Sequence, residues 1–402
     1  MQKDSADNLP RPVARGFAQS GVRLANERAV MTLIGTNPGL SNAELARQSG
    51  LGAQTTSRIV ADLEDRGLVK RGDVLRGRRG QPATPLYIDP EGGYVFGIEL
   101  GWRHAEVLLR GIGGQNLATH RISYDWPDAR TIIGQLTEII SSMRAQMTPR
   151  QSERLVGIGI ASPTFIYLNI NRLGAPPEQT DLWKELKLTR ALTEATGLEA
   201  HWVNDGSAAC WAELIAHPQP RPQGFAYFQV GTYIAAGILM EGKLWEGATG
   251  NAANLGTILI SDEHGKPTYA HLVATLKALD GRLQQGGRRL PEGNPIDWDW
   301  PSLEPEVGQW LEAAGSALAQ AILSTQAVTE IDNVIIDSVM PRPILERLVE
   351  RVRHHVAALP DILVAKASVS LGRLGAPASA MGAGQLMLHR RFFLRAWDLF
   401  AT

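Results

Sequence analysis

The sequence predicts a small winged helix-turn-helix followed by a much larger α/β domain of two lobes. Three observations predict it. Residues 1–90 carry 13 Lys and Arg against 9 Asp and Glu, and the rest carries 27 against 32, so a chain of net charge −1 hides a basic N-terminal part. Within that part, two short capped helical patterns flank a three-residue turn. Beyond residue 92, apolar strand-like runs alternate with amphipathic helical stretches, the order of an α/β fold.

The elements of the first part follow in order. Residues 1–24 read as a tail, with Arg11, Arg15 and Arg23 in it. Asn26 suits an N-cap for a helix through ERAVMTLI, closed by Gly35 and broken by Asn37-Pro38-Gly39. Ser41 opens the next helix, Glu44 completes a capping box, and Gly50 ends it. After the turn LGA, a third helix from about Gln54 to Arg66 puts Ile59, Val60 and Leu63 on an apolar face, with Thr55, Thr56, Ser57 and Arg58 in its exposed first turns. Such a pair of helices is a helix-turn-helix. Residues 68–70 and 86–88 pair as a wing whose tip holds Arg76, Arg78, Arg79 and Gln81 among glycines and prolines.

Between Arg66 and Arg79 stand six cations and one anion, Asp73. A solvated face is the plain explanation of such a run, and a polyanion footprint is the other. Beside a helix-turn-helix the second is preferred, and the expected partner is a double-stranded DNA operator. The third helix would read base edges, while the wing arginines meet phosphates or a narrow minor groove. Two half-sites about one helical turn apart need two readers at fixed separation, hence a homodimer or a dimer of dimers.

In the larger part the strand-like runs are YVFGIEL, AEVLLRGI, LVGIGIA, EAHWV, GFAYFQV, YIAAGILM and NVIIDSV. The helical ones include TIIGQLTEIISSMRAQM, LWKELKLTRALTEATG, QWLEAAGSALAQAILSTQAV and PILERLVERVRHHVAAL. The single cysteine, Cys210, forbids an internal disulfide and any Cys-based zinc site, and its apolar surroundings mark it as core. No apolar run reaches the length of a membrane span and the N-terminus lacks a signal-peptide core, so a cytoplasmic, membrane-free protein is expected.

The succession of winged helix, GRRGQPA before a strand, and FGIELG resembles the transcriptional repressors of the ROK family, which join a DNA reader to a domain descended from sugar kinases. Later landmarks are GIGIASPT at 157–164, WVNDGSAACWAE at 202–213, GTYIAAGILMEGKLWEGATGNAANLGT at 231–257 and LGAPASAMGAGQL at 374–386. The resemblance implies lobes with the ribonuclease-H-like fold of actin and hexokinase. It implies a DNA-binding domain over 25–90, a first lobe over 91–205 completed by a C-terminal helix over 385–402, and a second lobe over 206–384.

It also shows what has changed. The kinases' D-x-G-G-T phosphate loop reads Glu99-Leu100-Gly101-Trp102-Arg103 here. The second Gly-rich turn reads Gly231-Thr232-Tyr233-Ile234-Ala235-Ala236-Gly237, and an expected Gly-Gly pair is Asp337-Ser338. A Trp, an Arg and an Asp leave little room or charge complement for a triphosphate, which argues against phosphoryl transfer and for a protein that is not an enzyme. On the acceptor side, Asn204-Asp205 matches the family's Asn-Asp, whose aspartate is the kinases' base; capping of the helix after it is the alternative role for Asp205. The E-x-G-H pattern has become Asn254-Leu255-Gly256-Thr257, which exchanges a carboxylate for an amide and an imidazole for a hydroxyl. Pro163 and Thr164 join these four as the expected effector contacts. The zinc motif is gone, and His264 and His271 lack partners at ligand spacing, so no metal and no cofactor are expected.

Three functions remain open to the sequence: a DNA-binding regulator, expected to be a repressor, whose cleft senses a sugar or related metabolite; a regulator with a vestigial cleft governed by a protein partner; and an active sugar kinase.

Overall fold

The computed structural model describes residues 19–73, 84–360 and 365–394. The chain divides into two compact units, residues 1–88 with 392–402, and residues 89–391. The wing-tip candidates Arg76, Arg78, Arg79 and Gln81 lie outside the described residues.

The smaller unit comprises α1 (Gln19–Thr36), α2 (Asn42–Ser49), α3 (Ala53–Asp65) and an antiparallel pair, β1 (Val69–Arg71) with β2 (Leu86–Ile88). Its core is Val30, Met31, Ile34, Leu45, Ile59, Val60, Leu63, Leu68, Val69 and Leu86. The capping box of α2 is present: Ser41 Oγ accepts from Glu44 N–H while the Glu44 carboxylate accepts from Ser41 N–H, and Gly50 takes the left-handed C-cap conformation at φ 70°. Strand β2 is tied to the α1–α2 turn, Gly39 N–H donating to Leu86 O and Leu86 N–H to Leu40 O. A helix starting after Asn26 is not what is found. α1 begins by Gln19, so Asn26 is internal and residues 19–24 are helix rather than tail; the Arg23–Glu27 pair at i,i+4 supports the added turns.

The larger unit opens with β3 (Tyr94–Leu100), β4 (His104–Gly111), β5 (Asn116–Ser123), α4 (Ile132–Ala145), α5 (Pro149–Glu153), β6 (Leu155–Ser162), α6 (Ile166–Asn169), α7 (Glu178–Glu185), α8 (Leu188–Thr196) and β7 (Ala200–Asn204). These form a five-stranded sheet of order β5-β4-β3-β6-β7. The stretch 182–197, expected as one helix, is two, broken around Leu186 and Lys187.

The rest of this unit comprises α9 (Asp205–Ala216), β8 (Phe225–Val230), β9 (Ile234–Met240), β10 (Lys243–Leu244), β11 (Leu259–Ser261), β12 (Pro267–Tyr269), α10 (Leu276–Gln285), α11 (Glu306–Thr329), β13 (Asn333–Ser338), α12 (Arg342–Ala358), β14 (Ser368–Leu371) and α13 (Ala378–Phe392). The second five-stranded sheet has the order β10-β9-β8-β13-β14. Both large sheets therefore share one plan: a hairpin supplies the antiparallel strands, and the hairpin's first strand is also the start of a parallel run.

Glycines let helices lie against strands. A Cβ on Gly97 would stand 2.2 Å from Ala380 O, and one on Gly159 2.0 Å from Ala383 O, which sets α13 directly on β3 and β6 of the first sheet. This helix starts at Ala378, not at 385, and ends at Phe392 rather than continuing to 402. Phe393 and Leu394 instead belong to the smaller unit, where Leu394 N–H donates to Thr32 Oγ1 at 2.9 Å.

Candidate functional site

Two sites were expected, a DNA-reading face and a cleft. On α3, Thr56 departs from the expectation: it is fully buried and its hydroxyl donates to Gly52 O at 3.3 Å. Thr56, Ile59, Val60 and Leu63 are spaced i, i+3, i+4, i+7 and form the face that packs on the unit's core. Gln54, Ser57 and Arg58 are exposed and Thr55 is half-buried, so these four are the side chains that the first turns of α3 present to solvent.

The basic run is also weaker than its count of cations. Arg71 makes a bidentate pair with Glu64 at 2.7 Å, and Arg66 pairs with Glu27 at 2.8 Å. Both are committed to holding the unit together, and Lys70 is the exposed cation left between them.

The six cleft candidates come together. Pro163, Thr164, Asn204, Asp205, Asn254 and Thr257 all line one cavity of about 380 Å³. Pro163 and Thr164 follow β6, and Asn204 and Asp205 join β7 to α9, so these four stand at the carboxyl ends of parallel strands, where open α/β sheets place ligands. Asn204 organises the corner. Its Oδ1 accepts from Ser207 N–H at 3.1 Å, capping α9, while its Nδ2 donates to Thr164 Oγ1 at 3.2 Å and Asp205 Oδ1 at 3.0 Å. The cap of this helix is therefore Asn204 and not Asp205, which frees one carboxylate oxygen of Asp205 for the cavity.

Burial, with the nearby Glu99 charge second, pushes the Asp205 carboxyl up to about 7. Near neutral pH it can both accept a hydrogen bond from a hydroxyl and, when protonated, donate one. Asn254 and Thr257 are exposed at the mouth of the cavity, where Thr257 Oγ1 donates to Asn254 O at 2.8 Å and the Asn254 amide faces solvent.

The phosphate-loop positions of the resemblance are the two hairpin turns, residues 101–103 after β3 and 231–233 after β8. Their aromatic replacements meet: Trp102 and Tyr233 pack edge to face with centroids 5.1 Å apart, and Tyr233 in turn packs edge to face on His271 at 5.8 Å. His271 is held neutral, its pKa pushed down to about 4 by burial, and its Nδ1 accepts from Ile234 N–H at 3.2 Å, so it forms part of the cleft wall. The third position is filled as well. The buried Asp337 carboxylate accepts from Tyr227 Oη–H at 3.1 Å, Gly375 N–H at 2.8 Å and Ser338 N–H at 2.8 Å, cross-linking β13 to the turn before α13.

Sequence reasoning missed Arg172. It lies on the short turn before Gly174 and lines both the 380 Å³ cavity and a neighbouring one of about 800 Å³ that reaches Glu99, His104 and Gln229. No motif signals it, because chain reversals after α6 bring it to the cleft.

Comparison with known proteins finds similarity over both parts of the chain. A model described as "ROK family" matches residues 95–390, and one described as "MarR family" matches residues 21–80. The chain is 27% identical over 372 residues, 92% of each chain, to the "Uncharacterized protein y4fQ" of Sinorhizobium fredii. It is 23% identical over 286 residues to the xylose repressor of Bacillus spizizenii, covering 69% of this chain and 73% of that protein. A crystal structure described as a ROK family transcriptional regulator, homologue of the E. coli Mlc protein, superimposes with a TM-score of 0.66 at 19% identity over 94% of this chain and 98% of that one, which shows the shared fold. Among the described residues no helix is long and apolar enough to cross a membrane.

Proposed function

The chain belongs to the ROK family, and from that membership we propose that it is a DNA-binding transcriptional repressor whose ROK domain senses a sugar or related polyol without phosphorylating it. The observation that carries the proposal is the contrast inside one cleft. Acceptor-side residues converge on a cavity of about 380 Å³, while aromatic side chains join across the two turns where a triphosphate would lie. A base without a phosphoryl donor recognises a hydroxyl but has nothing to transfer to it.

In this reading Asp205 and Asn204 grip adjacent hydroxyls, Thr164 orients Asn204, and Asn254 and Thr257 contact the outer face of the ligand. The lost carboxylate and imidazole at 254 and 257 select against ligands that need charged acceptors there. A xylose-like pentose suits a pocket of this size, in keeping with the name of the Bacillus relative. On α3, Ser57 and Arg58 meet base edges, and a homodimer presents two such helices to a pseudo-palindromic operator. Ligand then shifts the population between DNA-binding and non-binding states by its differential affinity for them.

The test couples calorimetry with DNA binding. A panel of pentoses, hexoses and their phosphates is titrated into the protein, and each binder is added to a complex with DNA selected from random sequence. We expect at least one member to release heat and to change DNA affinity severalfold. Arg58→Ala should cost about 1 to 3 kcal/mol of affinity for the selected sequence and relax its base preference. Ligand binding with no effect on DNA, or ADP formed from ATP with any sugar, would overturn the proposal.

A further inference from the structure

Behind the first hairpin turn lies a group of side chains that the regulatory reading does not use. Glu99 on β3 stands opposite Glu106 on β4 in the strand register, and His104 precedes Glu106 by two residues, so all three share one face of the sheet. They are 7%, 8% and 8% exposed. One ligating atom from each lies within 4.8 Å of the others, and His104 Nε2 is 3.6 Å from Glu99 Oε2.

None of the three atoms Glu99 Oε2, His104 Nε2 and Glu106 Oε2 has a hydrogen-bond partner. The surrounding charges do not resolve this. Arg121, across the ladder from Glu106, leaves its own Nε without a partner, and Asp205 adds a further carboxyl near Glu99. Tyr124 spends its hydroxyl on the carbonyls of Gly101 and His104. Buried polar atoms are normally satisfied, and three that converge unsatisfied call for a shared partner. Two ligands at about 2.1 Å from a tetrahedral ion stand about 3.4 Å apart, close to the spacing already present between His104 and Glu99.

We propose that Glu99, His104 and Glu106 bind a divalent first-row transition-metal ion, of which zinc and manganese are the natural probes. Two carboxylates and one imidazole match the borderline ligand preferences of these ions and exceed what magnesium, which favours oxygen and water, would use. The ion enters from the 800 Å³ cavity, which Glu99 and His104 line. It neutralises a buried excess of negative charge and fixes the turn 101–103, and through it Trp102, in the position that closes the donor side of the cleft. The site is separate from the Cys-based zinc motif that the chain lacks, and it stands independently of any effector or operator.

The experiment uses the full chain, stripped with chelator and dialysed against Zn2+ or Mn2+. One equivalent per chain should be retained, with affinity falling as pH drops and the ligands protonate. His104→Gln and Glu106→Gln should each weaken binding at least tenfold, and the distant His264→Gln should not. Manganese bound to the wild type should show nitrogen coupling from one imidazole in pulsed electron paramagnetic resonance, a readout that survives if the variants fail to fold. Substoichiometric binding, affinity unchanged in both variants, or bound manganese without nitrogen coupling would overturn the proposal.

Discussion

The two halves of the cleft have been treated differently by the sequence. On the acceptor side, Asn204, Asp205 and Thr164 form a connected polar corner with a carboxylate oxygen left over for a ligand. On the donor side, Trp102 and Tyr233 touch each other and Asp337 accepts three hydrogen bonds from its own neighbours. The first half leaves a carboxylate oxygen over for a ligand, whereas the second commits its turns to an aromatic contact and its Asp337 carboxylate to its own neighbours. Recognition and catalysis separate cleanly in such a fold, because the phosphate loops are hairpin turns whose side chains can change without disturbing the strand-end corner that holds the acceptor.

The sharpest break of this contrast is steric. Gly206 starts α9 beside Asp205, and a Cβ there would lie 2.1 Å from Ala236 O and 2.2 Å from its N, with backbone that cannot yield. Gly206→Val is expected to lose about 3 kcal/mol or more in urea unfolding, whereas Gly231→Ala on the donor side, where the nearest atom is 3.5 Å away, should stay within about 0.5 kcal/mol. Next in size, Asp205→Ala should weaken any polyol found by calorimetry by roughly 1.5 to 3 kcal/mol while leaving DNA affinity without ligand unchanged.

Titration gives a third test. Both Asp205 and Glu213 are raised to about 7, each chiefly by burial. Between the ordinary carboxylate range near 4 and a folded value near 7, the native state holds more protons than the unfolded chain, so stability falls as pH rises through that window. Asp205→Asn and Glu213→Gln should each flatten the wild-type decline between pH 4 and 7, as read by unfolding at a series of pH values. Trp102→Ala should lose about 0.5 to 1.5 kcal/mol for the edge-to-face contact, beyond the area it uncovers, with no gain of nucleotide turnover because Asp337 still fills its position.

Much of this was legible in the sequence, and the failures have physical causes. The capping box at Ser41 and Glu44 and the runs of β3, β6 and β8 announced themselves because local rules and burial agree there. Thr56 was misplaced by chemistry: a hydroxyl suggested a DNA contact, although its i, i+3, i+4, i+7 spacing with Ile59, Val60 and Leu63 already put it inside. β5 carried no strand-like run because most of it is exposed, so no apolar alternation marks it. The Asn204 corner was visible as a motif, but Arg172, the Trp102–Tyr233 contact and the Glu99–His104–Glu106 group depend on which turns and strands meet, and that is a property of topology rather than spacing.

The most direct test of a sensor without a kinase is a single titration of labelled operator DNA with the full chain, repeated with the best-binding sugar and again with sugar plus magnesium ATP, while ADP is assayed. A sensor of this kind should show salt-sensitive DNA binding that the sugar changes severalfold, an identical curve when ATP is added, and no ADP. Sugar-dependent ADP formation, or indifference to DNA even at low ionic strength, would contradict it.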